Sequence, residues 1–185
     1  MHRNFLQTNL IENPNALASS GCNNLRMAPD PAVRIRAATA GDEAFIVEMA
    51  RHACIIDDWP LPDSDDEEVL ELLPPPGVVP IIAEEIRGDP VGAVWTYFSD
   101  PPLRSDANGK PLPELCIGVV PERRGSGIGG LLMDALLADV AQVCESMCTN
   151  VHVRNPAQRL YERKGFRVVG QGHGPLGLAM VKALR

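Results

Sequence analysis

No apolar run approaches the roughly 18 residues needed to span a bilayer, so a membrane is not an expected partner. Nor is there a basic stripe. The 17 Lys and Arg are outnumbered by 24 Asp and Glu, the formal charge is −7, and nucleic acid is not an expected partner either. The cysteines form no even set. Cys22, Cys54, Cys116, Cys144 and Cys148 are scattered, and the spacing between Cys144 and Cys148 has no companion Cys or His pair to complete a tetrahedral zinc site. They read as free thiols of a reducing cytoplasm, with no metal implied. Also missing are an N-terminal signal pattern, an internal repeat and the Gly-Lys-Ser/Thr of a nucleotide P-loop. What is present is a chain of 185 residues, 45 % hydrophobic and 22 % charged, which suits one domain with one sizeable core.

Residues 1–29 are polar, Asn-rich and without hydrophobic period, and are expected to be a disordered leader to a domain at 30–185. Val33, Ile35 and Ala37 alternate with Arg34 and Arg36 as in a half-buried strand. Thr39 and Asp42 form a capping-box pattern ahead of a helix running to about residue 55. An acidic segment follows at 56–75, with a short helix near Val69–Leu73 and a closing triplet of prolines. Residues 78–98 read as a hairpin about Gly88-Asp89-Pro90, and 114–120 as a further strand. A long amphipathic helix starts after the glycines at 125–130, and a strand at 148–153 comes next. A helix over Pro156–Lys164 is expected to be capped by Asn155 and stopped by Gly165, before two closing strands. The order βααβββαβαββ predicts an α/β fold, a mixed sheet of about seven strands with four helices on both faces.

Gly125, Gly127 and Gly130 spell G-x-G-x-x-G between a strand and a helix. Such a turn bares backbone amides at a helix N-terminus and draws phosphate oxygens, a property of several ligand classes. The dinucleotide class fits poorly. Pro121, Glu122, Arg123 and Arg124 separate strand from glycines, the next strand carries no carboxylate for a ribose, and a long ordered region precedes the motif. Arginines beside bare amides suit a pyrophosphate with further phosphate charge nearby.

The stretch VVPERRGSGIGGLL resembles the pyrophosphate arm of the GNAT superfamily of N-acyltransferases, Arg/Gln-x-x-Gly-x-Gly/Ala after a strand ending Val-x-Pro. Arg124, Gly127 and Gly129 fill that pattern, and Gly125 fits its commonest version. A second segment, NPAQRLYERKGFRVVG, is similar to the family's later motif at Asn155, Ala157, Leu160, Tyr161, Glu162, Gly165 and Phe166. The opening strand and helix also resemble the family, so the likeness covers residues 32–185.

The resemblance implies a GNAT-like fold, acetyl-CoA as acyl donor and direct transfer to a small, cationic or neutral, primary amine. Arg124, Gly125, Ser126, Gly127, Ile128 and Gly129 would hold the pyrophosphate. The backbones of Val119 and Val120 would hold pantetheine and the thioester carbonyl, and Asn155 would contact coenzyme A or cap its helix. Tyr161 would be the general acid at sulfur. The base is left open between His152, which is otherwise a satisfied structural histidine, the rivals Glu114, Glu84 and Glu85, and a water chain; His173 and His52 have no better case. The acidic segment is either a recruiting rim for a cationic amine or a solvated face. Trp59, Trp95 and Tyr97 are either pocket walls or core. Protein N-terminal or lysyl acetylation, a non-catalytic coenzyme A sensor and, remotely, a nicotinamide-binding protein are the alternatives, and a homodimer is left open.

Overall fold

The computed structural model describes residues 33–56 and 59–185. The expected leader at 1–29, Cys22, Asp57 and Asp58 lie outside the described residues. Strands β1 (Val33–Ala37), β2 (Ile81–Glu85), β3 (Pro90–Tyr97), β4 (Glu114–Val119), β5 (Ser146–His152), β6 (Arg167–Gln171) and β7 (Gly177–Ala183) form one sheet in the order β1-β2-β3-β4-β5-β7-β6. All neighbouring pairs are antiparallel except β4 and β5, which run parallel. Helices α1 (Glu43–Cys54), α2 (Glu67–Leu70), α3 (Ile128–Val140) and α4 (Gln158–Arg163) complete the expected βααβββαβαββ order.

Side-chain alternation divides the core between the two faces of the sheet. On one face Ile46, Met49 and Ala50 of α1 and Val69 of α2 meet Ile82, Ala93, Trp95 and Cys116. On the other, Ile128, Leu132, Met133 and Leu136 of α3 and Tyr161 of α4 meet Val94, Leu115, Met147 and Phe166. The helix contact that matters most for the site is made through Gly118. A Cβ there would lie 2.6 Å from the Met49 carbonyl oxygen and 2.8 Å from its Cβ, so α1 rests directly on the backbone of β4. Gly118→Ala should therefore push α1 off the strand, with a loss of about 1–3 kcal/mol typical of overpacking. A melting curve should show a fall of roughly 3–10 °C; an unchanged curve would mean that the helix does not rest on the strand in this way.

The strand expected at 148–153 spans Ser146–His152 and the short helix expected near Val69–Leu73 spans Glu67–Leu70; two further boundaries differ from expectation for a local reason. The hairpin's first strand begins at Ile81 rather than 78, because Pro80 has no amide for a ladder; its carbonyl instead accepts the Ala38 amide at 2.8 Å. The last helix begins at Gln158 rather than Pro156. Asn155 is not its N-cap residue; its Oδ1 accepts the Ala157 amide at 2.9 Å and makes a turn that leads into the helix. At the other end Gly165 takes φ +89°, and the Phe166 amide reaches back to the Tyr161 carbonyl at 3.0 Å, as a glycine-terminated helix requires.

Candidate active site

The parallel pair at the centre of the sheet is joined only at one end. Glu114 pairs with Cys148, and the Cys148 amide donates to the Pro113 carbonyl at 2.9 Å. No later residue of β4 pairs with β5 among the described residues, so the two strands part. Strand backbones alternate in direction, so Leu115, Ile117 and Val119 turn the same way as Pro113, into the gap. Val120 does not. Its amide donates to Val91 at 3.0 Å and its carbonyl accepts from Arg123 at 3.0 Å, so both its backbone groups are taken. Of the two valines singled out in the sequence, only Val119 turns a backbone amide into the gap, its carbonyl accepting from Arg124 Nε, and Ile117 joins it.

The chain then makes a 3-10 turn over Pro121–Arg123 and enters the glycine turn. Gly125 and Gly127 have φ of +77° and +91°, and a Cβ on either would meet nothing within 4 Å. Glycine is needed there for conformation, and the space in front is open. Gly127 is the N-cap of α3, and its carbonyl takes the amides of Gly130 at 2.9 Å and Leu131 at 3.2 Å. The amides of Ile128 and Gly129 precede the first intrahelical bonds and have no carbonyl within the helix to bond. Gly129 also lets α3 approach α4, since a Cβ would lie 3.2 Å from Leu160. Ser126 Oγ donates to the Arg123 carbonyl at 2.6 Å and tightens the turn. Arg124 is exposed, and its Nε donates to the Val119 carbonyl at 3.2 Å. Bare amides, a helix N-terminus, an arginine and room in front of them fit the diphosphate of coenzyme A.

Tyr161 enters the gap's wall from α4. It is buried, in tilted ring contact with Phe166 at a centroid distance of 5.9 Å. Burial pushes its phenol above the usual value; the Cys116 thiol of β4 adds to this, and a hydrogen bond with the Thr149 side chain of β5 opposes it. The phenol thus stands between the parting strands, with residues of both as neighbours. Thr149 and Cys116 were not singled out in the sequence as site residues, because nothing in their local pattern distinguishes them from core positions.

His152 ends β5 on the opposite face of the sheet from Tyr161. Its Nδ1 accepts the Arg154 amide at 3.1 Å, so a neutral ring carries its proton on Nε2. Among the described residues Nε2 is buried without a hydrogen-bond partner, and the ring makes an edge contact with Trp59 at 5.9 Å. The other rivals for the base lie elsewhere or are engaged. Glu84 is held by Arg34 at 3.0 Å and Arg36 at 2.6 Å near the sheet edge, and these hydrogen bonds draw its carboxyl below the usual range. Glu85 pairs with Arg123. Glu114 is buried at the closed end of the gap, where it accepts from Tyr97 Oη at 3.2 Å, from the Ser99 amide at 3.2 Å and from the Ser99 hydroxyl. It anchors the start of the 99–113 loop. His173 contacts Ser99 Oγ at 3.1 Å from the β6–β7 turn, and His52 lies on α1 with Arg124 at 3.5 Å.

Trp95 and Tyr97 are core, not pocket walls. Trp95 is fully buried and its Nε1 donates to the Leu72 carbonyl at 2.7 Å. Trp59, half exposed, is the aromatic that contacts the His152 ring.

A model of the acetyltransferase (GNAT) domain family matches residues 77–168, from just before β2 into β6. No curated protein matches the chain. Among solved structures, yncA from Salmonella typhimurium, determined with its cofactor acetyl-CoA, superposes with a TM-score of 0.61 at 24 % identity, covering 83 % of this chain and 94 % of that one. The spermidine/spermine N-acetyltransferase SpeG from Vibrio cholerae gives 0.57 at 21 %, covering 84 % and 95 %. A GCN5-related N-acetyltransferase from Kribbella flavida gives 0.58 at 19 %, covering 82 % and 98 %. At such identities the likeness is one of fold. Fold and family model together define the class as an acyltransferase. The chain belongs to the GNAT acetyltransferase family. Among the described residues, no helix is long and apolar enough to cross a membrane.

Proposed function

We propose that the protein transfers the acetyl group of acetyl-CoA to a primary amine of a small molecule. The observation that carries this reading is the parted β4–β5 pair, which leads from a wall holding Tyr161 to the open glycine turn at α3. Acetyl-CoA supplies the acyl group as a thioester. Gly125, Ser126, Gly127, Ile128 and Gly129 face its diphosphate with backbone, and Arg124 adds charge. Ile117 and Val119 offer strand backbone to pantetheine and the thioester carbonyl. Asn155 shapes the entry to α4 and so holds Tyr161 in place.

The balanced step joins the amine nitrogen to the acyl carbon and breaks the carbon–sulfur bond. An ammonium acceptor sheds two protons: one reaches the departing sulfur and one leaves to solvent. Tyr161, protonated across the neutral range, is the donor toward sulfur. In its neutral state His152 has its one ring lone pair engaged by Arg154, which favours deprotonation of the amine through water over deprotonation by that imidazole. The exposed acids Asp63, Asp65, Asp66, Glu67, Glu68 and Glu71 give the α1–α2 side a negative rim that attracts an ammonium group.

The test is a thermal-shift comparison of acetyl-CoA, coenzyme A, NAD(H) and NADP(H). Acetyl-CoA and coenzyme A at about 100 times their dissociation constants should add about 2.7 kcal/mol, which is roughly 5–10 °C for a chain of this size. Stabilisation by a nicotinamide cofactor instead would overturn the reading.

A further inference from the structure

Resting on that reading, we propose that His152 recognises the acyl acceptor by donating from Nε2 to a carbonyl or carboxylate oxygen beside the reacting amine. The substrate is then a small α-amino carbonyl compound, a free amino acid or its amide, and not an oxygen-free polyamine.

Three observations converge on this. First, Nε2 is an orphan. Buried polar atoms almost always find a partner, and one that has none calls for an explanation such as a bound ligand or water. With Nδ1 already accepting the Arg154 amide at 3.1 Å, the neutral ring offers an N–H at Nε2 and not a lone pair. What such a group lacks is an oxygen acceptor. An ammonium group, with donors alone, cannot supply one.

Second, the imidazole lies across the parted strands on the face away from Tyr161. Counted from the Glu114–Cys148 pair, His152 stands level with Gly118 across the parted strands, on the α1 face of the sheet. Its neighbour on β7 is Gly177. Neither glycine carries a side chain that could reach the imidazole. Tyr161, on the opposite face, is left for the donor's sulfur.

Third, the two chain segments that meet at His152 carry opposite character. From Ser146 to Tyr161 the chain has no Asp or Glu and contains Arg154 and Arg159. From His52 to Ile86 it has no Lys or Arg, and its acids are concentrated between Asp57 and Glu71. Trp59, which belongs to the acidic segment, touches His152 at the end of the acid-free segment, so the two sides meet there. The loop carrying Trp59 is tied down, because Arg51 Nε donates to the Pro62 carbonyl at 2.6 Å. An acceptor with an ammonium group and an oxygen a few bonds apart satisfies both sides at once. A polyamine satisfies only the acidic one.

The experiment measures coenzyme A release by the full chain at saturating acetyl-CoA. The acceptors are the standard amino acids and their amides, with spermidine and 1-aminopropane as oxygen-free amines. Expected is turnover with α-amino carbonyl acceptors at a kcat/KM at least about tenfold above that for the oxygen-free amines, as befits a site with a buried donor to satisfy. His152→Leu should raise KM for the preferred acceptor by roughly tenfold or more, the loss of one hydrogen bond to a charged or strongly polar oxygen. His152→Gln, which keeps an N–H donor, should recover part of that loss. Melting curves of both variants control for folding, and the selectivity of the unaltered protein needs no variant at all.

Turnover confined to oxygen-free amines would overturn this proposal and leave the acetyltransferase reading intact. So would a fall in kcat for every amine alike in His152→Leu, which would place the imidazole on the thioester oxygen instead of the acceptor. No coenzyme A release with any amine, together with no stabilisation by acetyl-CoA, would remove the acetyltransferase reading and this inference with it.

Discussion

Replacing Gly127 with glutamate is expected to weaken acetyl-CoA binding by roughly 5- to 1,000-fold, the span given by one unit of like charge about 4 Å from a phosphate at effective dielectric constants between about 80 and 20. The geometry makes this an unusually clean substitution. Gly127 sits at φ +91° with no described atom within 4 Å of where a Cβ would be, so the new Cβ meets no steric obstacle and the side chain starts into the space proposed for the diphosphate. Left-handed backbone strain of about 1–2 kcal/mol is shared with alanine, so Gly127→Ala is the control. The carboxylate has one further effect, and it has the opposite sign. At the N-cap of α3 a negative charge favours the helix dipole by about 0.3–1 kcal/mol. The glutamate variant should therefore melt no lower than the alanine variant while binding far more weakly. Calorimetric titration with acetyl-CoA measures the second quantity and a melting curve the first. Equal affinities in the two variants would show that the diphosphate lies elsewhere.

The glycine turn was legible because its signal is local: positive φ and bare amides are properties of the residues themselves. The element order was legible for the same reason, through alternation in β1 and four-residue recurrence in α1. What could not be read locally is which way a strand's backbone faces. Val119 and Val120 are identical in the sequence, and only the pairing of β4 with β3 on one side, and its parting from β5 on the other, separates them. Pairing also decides the aromatics. Trp95 and Tyr97 share a strand face with Cys116 and Glu114 through the β3–β4 register, which buries them beneath α1. Trp59, with no periodic pattern around it, contacts the His152 ring. The carboxylates divide by long-range contacts in the same way: Glu84 belongs to arginines one strand away, and Glu114 to a loop that returns from β3. His152 was singled out on position alone. The direction of its hydrogen bond, which leaves Nε2 and not Nδ1 to carry the proton of a neutral ring, follows from the Arg154 amide two residues on and from the tight turn that brings that amide back.

Tyr161→Phe should leave acetyl-CoA affinity nearly unchanged and lower kcat by about 10²–10⁴-fold, the usual contribution of a positioned general acid. Phenylalanine fills the same space against Phe166, so the packing of α4 on the sheet persists; what is lost is one buried hydroxyl. The height of the kcat plateau separates the acid role from a packing role, and the pH profile fits it. Burial is the largest influence on this phenol and raises its pKa, so the protonated form persists above the ordinary tyrosine value of about 10. An acid is useful only while it holds its proton, and a raised value extends that state to higher pH. The unaltered enzyme should therefore show no loss of kcat from Tyr161 ionisation at or below pH of about 10, and the phenylalanine variant should be slow at every pH, with the same profile on a lower plateau. Steady-state kinetics with the preferred acceptor, beside a titration of acetyl-CoA binding, reads both quantities. Retention of the unaltered kcat in Tyr161→Phe would make the residue a core tyrosine that happens to border the gap, and the proton for sulfur would have to come from water.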